Sequence, residues 1–371
     1  MIIIVIIGFI GAVITILWFV FGIPLPDLWR RLTRKKLKPV LPKEEKDEFK
    51  REIITEVKTE LDKKFGELKL YLDGLPKASD PVRIPFVQGL KAMEEYRWDE
   101  AVNNFRLAIV TTKVESNKVA LLNLIGNCFH NQGELEQALG HYEESLDLAK
   151  KIKDKEGEAS NLGNIGVIYQ TKGDLDKALE YHGEALKLNQ EMDCKEGVAQ
   201  NLGNIGIIYE IKGDLDKALK NYEEGLKIDM KMNRKDGIAA KLCNIGIIYE
   251  LKGDLDKALR YYEESLEIHR EIDRKEGIAA CFGNIGFIYM KKDYFDKALE
   301  YFEDARKLNE EFGLKEGLAI NFFDIGLIYT LKREKETALN YFNQALEIFK
   351  QIGAKKNIEE TERLIQELNE K

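Results

Sequence analysis

Apolar residues recur in this chain on two scales. Within residues 242–268, Leu242, Ile245, Gly246 and Tyr249 fall on one helical face, and Ala258, Tyr262, Ser265 and Ile268 do the same after the turn "KGDL". That spacing predicts two helices. Gly253 can take the left-handed conformation that ends the first, and Asp254 can cap the amides that start the second. The small residues Gly246 and Ala258 would let the two backbones approach closely, with Tyr249 filling the space beside them.

On the larger scale the whole pattern returns every 40 residues. Gly126, Gly166, Gly206, Gly246, Gly286 and Gly326 share one position, followed by Phe129 or Tyr169, Tyr209, Tyr249, Tyr289 and Tyr329, then by Ala138, Ala178, Ala218, Ala258, Ala298 and Ala338. A weaker copy lies upstream, where Gly89, Ala101, Phe105 and Ala108 hold the spacing and Ala92 stands in the aromatic position. Repeats six and seven lose the turn glycine, to Asp293 and Arg333. Fixed-period copying of this kind predicts an array of stacked helical hairpins in which each copy buries its apolar face on its neighbours.

Leu-x-x-Ile-Gly-x-x-Tyr, then Gly-Asp, then Ala, an aromatic and a small residue, resembles the tetratricopeptide repeat over residues 82–353. The period of 40 rather than about 34, with Leu162, Leu202, Leu242, Phe282 or Phe322 where that family favours Trp, is similar to the long-period branch that includes kinesin light chains and spindle-orientation adaptors. The resemblance implies an all-α fold, a right-handed superhelical solenoid of antiparallel helix pairs. Seven repeats are expected over 82–353, with 354–371 as a capping helix whose Ile358, Leu364, Ile365 and Leu368 sit among charged residues.

The amino-terminal part departs from this pattern. Residues 1–23 carry no charge, and as a helix at about 1.5 Å per residue they would span about 34 Å, enough for a hydrocarbon core of about 30 Å. They read as a transmembrane signal-anchor helix. Segment 24–42 is basic, with six Lys/Arg against Asp27, which by the positive-inside rule keeps the repeats cytoplasmic. Segment 43–75 reads as a charged helical stalk with an imperfect heptad seam broken at Lys64, which leaves self-association open, and 76–81 as a hinge. The expectation is a single-pass membrane protein.

Composition narrows the chemistry. A formal charge of −8, of which the first 42 residues contribute +5, leaves an acidic body that disfavours nucleic acid. Cys128, Cys194, Cys243 and Cys281 form no CxxC pair, and His130, His141, His182 and His269 form no ligand cluster, so no metal and no cofactor are assigned. No copy pairs a nucleophile with a base, and the chain reads as non-enzymatic.

Function is therefore expected on the face of the first helices that packing does not use. With Gly246 packed, that face carries Asn164, Asn204, Asn244 and Asn284, with Asp324 last, over an apolar floor of Val167, Ile207, Ile247 and Phe287 and, one turn further on, Ile211 and Leu251. An Asn side chain can donate to and accept from an extended backbone while the floor buries side chains. Members of the resembled family bind peptides in such a groove, with asparagines at these positions on the ligand main chain. The alternative use of the amides is to bond the neighbouring repeat. Lysines and arginines that would clasp a carboxylate tail are not matched, since the surface offers Glu210, Glu250 and only Lys291. A protein or peptide adaptor leads, ahead of a self-assembling scaffold and a regulatory subunit of a membrane enzyme.

Overall fold

The computed structural model describes residues 82–370. Fifteen helices and no strand occur among them. They belong to two compact units that divide between Lys113 and Val114. In the first unit α1 (Arg83–Glu94) and α2 (Trp98–Thr111) pack together, with the Phe105 ring over Gly89 and with Ala92 and Ala101 fully buried.

The second unit runs α3 (Glu115–Asn131), α4 (Leu135–Ile152), α5 (Lys155–Thr171), α6 (Leu175–Glu191), α7 (Lys195–Ile211) and α8 (Leu215–Met232). It continues with α9 (Lys235–Leu251), α10 (Leu255–Glu271), α11 (Lys275–Lys291), α12 (Phe295–Glu311), α13 (Lys315–Leu331), α14 (Lys335–Ile352) and α15 (Lys355–Glu370). Within this unit each helix packs most heavily on its neighbours in sequence. The result is a helical solenoid built by nearest-neighbour packing.

The turns follow from the residues placed in them. After α9, Gly253 adopts φ 81°, and the amides of Gly253 and Asp254 bond back to the carbonyls of Glu250 and Tyr249, both at 2.9 Å. Asp254 then accepts from the Lys257 amide at 3.2 Å, capping α10 as its position in the sequence predicts. Asp293 and Arg333 hold the same left-handed conformation, at φ 61° and 63°, without glycine. The surrounding helices impose it there.

The close approach within a pair differs from the expected one. A ring from the second helix, not the tyrosine of the first, lies over each packed glycine: Tyr142 over Gly126, His182 over Gly166, Tyr222 over Gly206, Tyr262 over Gly246, Phe302 over Gly286 and Phe342 over Gly326. Tyr249 instead stacks on Tyr261, with ring centroids 5.4 Å apart, and holds Lys257 Nζ 4.9 Å above it. The reason is helical geometry: a residue three positions further on stands over the next turn of its own helix, so space beside a glycine is filled from the partner.

Junctions between pairs are less uniform than the repeats suggest. Between the second helix of one pair and the first of the next, Asn161 donates to Ser145 at 2.8 Å, His182 meets Asn201 at 3.3 Å, Cys281 lies 3.5 Å from Ser265, and Asn309 donates to Asn321 at 2.7 Å. At the α8–α9 junction the fully buried Asp229 stands between Lys241 Nζ at 3.1 Å and Arg234 Nη1 at 3.2 Å. Gly237 leaves room for that carboxylate, as Gly197, Gly277 and Gly317 do for Asn189, His269 and Asn309.

The expected single-pass membrane localisation is corrected. Among the described residues no helix is long and apolar enough to cross a membrane. Even the more apolar ones are too short and are charged at an end, as in "KEGIAACFGNIGFIYMK" of α11 (17 residues), where a span requires about 20 predominantly apolar residues. The segments 1–23, 24–42, 43–75 and 76–81, on which the anchor, basic flank, stalk and hinge were placed, lie outside the described residues.

Candidate functional site

Successive first helices α5, α7, α9, α11 and α13 bring the ladder positions to the same place in each pair, because the period of the sequence equals the period of the stack. Asn164, Asn204, Asn244 and Asn284 are all half-buried. Their surroundings divide them. Asn164 donates to Asn123 Oδ1 at 3.3 Å, and Asn284 to Cys243 Sγ at 3.3 Å, in each case on the preceding pair. Asn204 and Asn244 have no side-chain hydrogen bond with any described residue, and lie beside open surface.

The floor divides likewise. Val167, Ile207, Ile247 and Phe287 are half-buried, and the last three pack against the buried clusters between pairs. The exposed apolar surface stands one turn on, at Ile211, Leu251 and Leu331, each more than half exposed. Leu331 was not singled out from the sequence, although its 80-residue offset from Leu251 was the signal. Lys291 interrupts this row, and its ammonium lies 3.0 Å from Glu250 Oε1 and 4.7 Å above the Phe287 ring.

The acids of this face are engaged internally. Glu210 accepts from the Tyr222 hydroxyl at 2.8 Å and Glu250 from the Tyr262 hydroxyl at 3.0 Å. Burial holds the Glu210 carboxyl above the usual carboxylate range, against the opposing effect of that hydrogen bond. The buried imidazoles of His182 and His269 are pushed the other way, below their ordinary value, again chiefly by burial. They serve packing over Gly166 and beside Gly277.

A cavity of about 690 Å³ opens where α11, α13 and the end of α12 meet. Asn284, Phe287, Ile320, Asn321 and Asp324 line it. Burial pushes the Asp324 carboxyl up to about 7. Ile320, at the place held by Gln200, Ala240 and Ala280 in other copies, and the buried Asn309–Asn321 bond were missed from the sequence. The only available signal was that these positions break an otherwise uniform repeat. Chemically the face offers amide groups and apolar side chains, with the Asp324 carboxylate at its far end, which suits capture of an extended segment.

Comparison with known proteins places this architecture. Sequence profiles described as tetratricopeptide repeat match residues 118–191, 237–311 and 277–351, and a further one residues 199–231. The chain belongs to the tetratricopeptide-repeat family. No curated protein matches it in sequence. Among solved structures, a Rap protein complexed with competence and sporulation factor superposes with a TM-score of 0.57 at 15% identity, over 82% of this chain and 90% of that one. The Rap conjugation gene regulator of plasmid pLS20, in complex with the Phr* peptide, gives 0.58 at 16% identity, over 74% of each chain. The apo form of the quorum sensor NprR from B. thuringiensis gives 0.55 at 17% identity, over 87% of this chain and 97% of that one. At these identities the likeness is one of fold.

Proposed function

We propose that this protein is an adaptor that binds an extended peptide, or an extended segment of a protein, along the face formed by α5, α7, α9, α11 and α13. The observation that carries the reading is the pair of half-buried amides Asn204 and Asn244, left without a partner among the described residues beside exposed Ile211 and Leu251. Half-buried amides that bond nothing are poorly placed for a purely structural role, whereas a peptide main chain supplies both a donor and an acceptor. Asn164 and Asn284 stiffen the array through their bonds to the preceding pair, and so frame the two that face the ligand. Two of the structural neighbours hold a peptide or a signalling factor in the same fold, which favours a peptide ligand here.

The test is selection of peptides from a random dodecapeptide display library on the full chain, followed by titration against the Asn204→Ala/Asn244→Ala double variant. Loss of two hydrogen bonds of about 1 kcal/mol each weakens binding about 30-fold while leaving the thermal midpoint in place. Equal binding by both proteins, or no enrichment on the wild type, would overturn the reading.

A further inference from the structure

The ladder ends in an acid. Four copies present Asn at this position and the fifth presents Asp324, which lines the cavity and has neither hydrogen bond nor ion pair with any described residue. Asp and Asn have nearly the same shape, so packing does not require the change. The change adds charge. The neighbours add to it: the lining carries Glu276 from α11 and Glu316 from α13, against Lys315 alone, while α12 contributes the neutral Asn309 and α14 nothing.

Resting on the peptide-binding reading, we infer that this cavity is a specificity pocket for a lysine or arginine side chain of the bound peptide, with the Asp324 carboxylate as its counter-ion. The lining suits such a guest. Phe287 and Ile320 line the cavity with apolar surface against which the methylene stem of a long basic side chain packs, and Asn284, which uses only its Nδ2 on Cys243, offers its amide oxygen to a remaining N–H group. A cation there supplies what the carboxylate lacks in the free protein. Without a partner its charged form is disfavoured by burial, which is why its proton is held to about 7. A bound ammonium or guanidinium reverses that preference.

Binding of a basic peptide therefore strengthens as pH rises from 5.5 to 8, through the range in which Asp324 ionises. Glu276, Glu316 and Lys315 stand exposed at the rim and do not share its burial.

The experiment repeats the dodecapeptide selection at pH 8 on the full chain and on Asp324→Asn, which restores the amide of the other copies. Lysine or arginine is expected to become fixed at one position of the peptides enriched on the wild type, and to lose that preference on the variant. A resynthesised peptide should bind the wild type at least ~10-fold more tightly than its norleucine analogue at pH 8, a gap that shrinks at pH 5.5 and is absent in the variant. Enriched peptides with no basic position, a norleucine analogue that binds as well, or a preference that survives Asp324→Asn would each overturn the pocket while leaving the groove standing. Failure to enrich any peptide on either protein would remove both.

Discussion

The ring of Tyr262 lies so close over Gly246 that a β-carbon there would stand 2.6 Å from Cε1. The same relationship recurs at six other pairs, which makes the glycine a packing requirement of the fold. Gly246→Ala is expected to destabilise the protein by about 1–3 kcal/mol, because the fully buried Tyr262 has nowhere to move. Gly140→Ala, at a helical position with nothing within 4 Å of a new β-carbon, should instead stabilise it by up to about 1 kcal/mol. Urea titration of the two variants beside the wild type separates these outcomes. A Gly246→Ala midpoint equal to that of Gly140→Ala would contradict the packing described.

The buried ions at the α8–α9 junction predict a different kind of response. Lys241→Met leaves Asp229 inside the protein with only Arg234 beside it, and should cost on the order of 3 kcal/mol. Replacing both residues with asparagine, as Asn309 and Asn321 stand at the α12–α13 junction, should recover most of that loss. Additive losses in the double variant, measured by the same titration, would show that the two side chains do not act as a pair.

Asp324 gives the stability of the chain a pH dependence whose sign can be worked out. Its carboxyl titrates at about 7 when folded, against about 4 in an unfolded chain, so the folded state holds the proton more tightly. The stability this contributes is complete below about pH 4 and is lost as pH rises through about 7. Asp324→Asn removes the loss. Between pH 4.5 and 8 the wild type should lose on the order of 2 kcal/mol relative to the variant. Glu210 shifts in the same direction but is common to both proteins, and so cancels. Parallel stability curves across this range would refute the assignment.

Much of the repeated architecture could be read in the sequence because one module written several times cancels its own noise. Gly253, Asp254 and Ala258 stand at the turn, cap and close contact that their types predict. The ring over Gly246 was misassigned to Tyr249 because both tyrosines recur at the right spacing, and periodicity along one helix does not say which helix fills a gap. At the candidate site, sequence periodicity grouped Asn164, Asn204, Asn244 and Asn284 as equals. Only their partners distinguish them, and those partners, Asn123 and Cys243, sit at positions where the copies differ. The cavity at Asp324 was hidden for the same reason, since its wall depends on a departure from the repeat at Ile320.

Those departures bear on how an array of near-copies finds a single arrangement. Neighbouring modules that look alike invite mispairing, in which one is skipped or a second chain lends its own. The five polar contacts, Ser145 with Asn161, His182 with Asn201, Asp229 with Lys241, Ser265 with Cys281 and Asn309 with Asn321, work as a set of differently cut keys. A module seated in the wrong lock would strand Asp229 against a cysteine or Lys241 against a histidine. The chain thus carries an address at each joint, written in the few interior positions where its copies disagree.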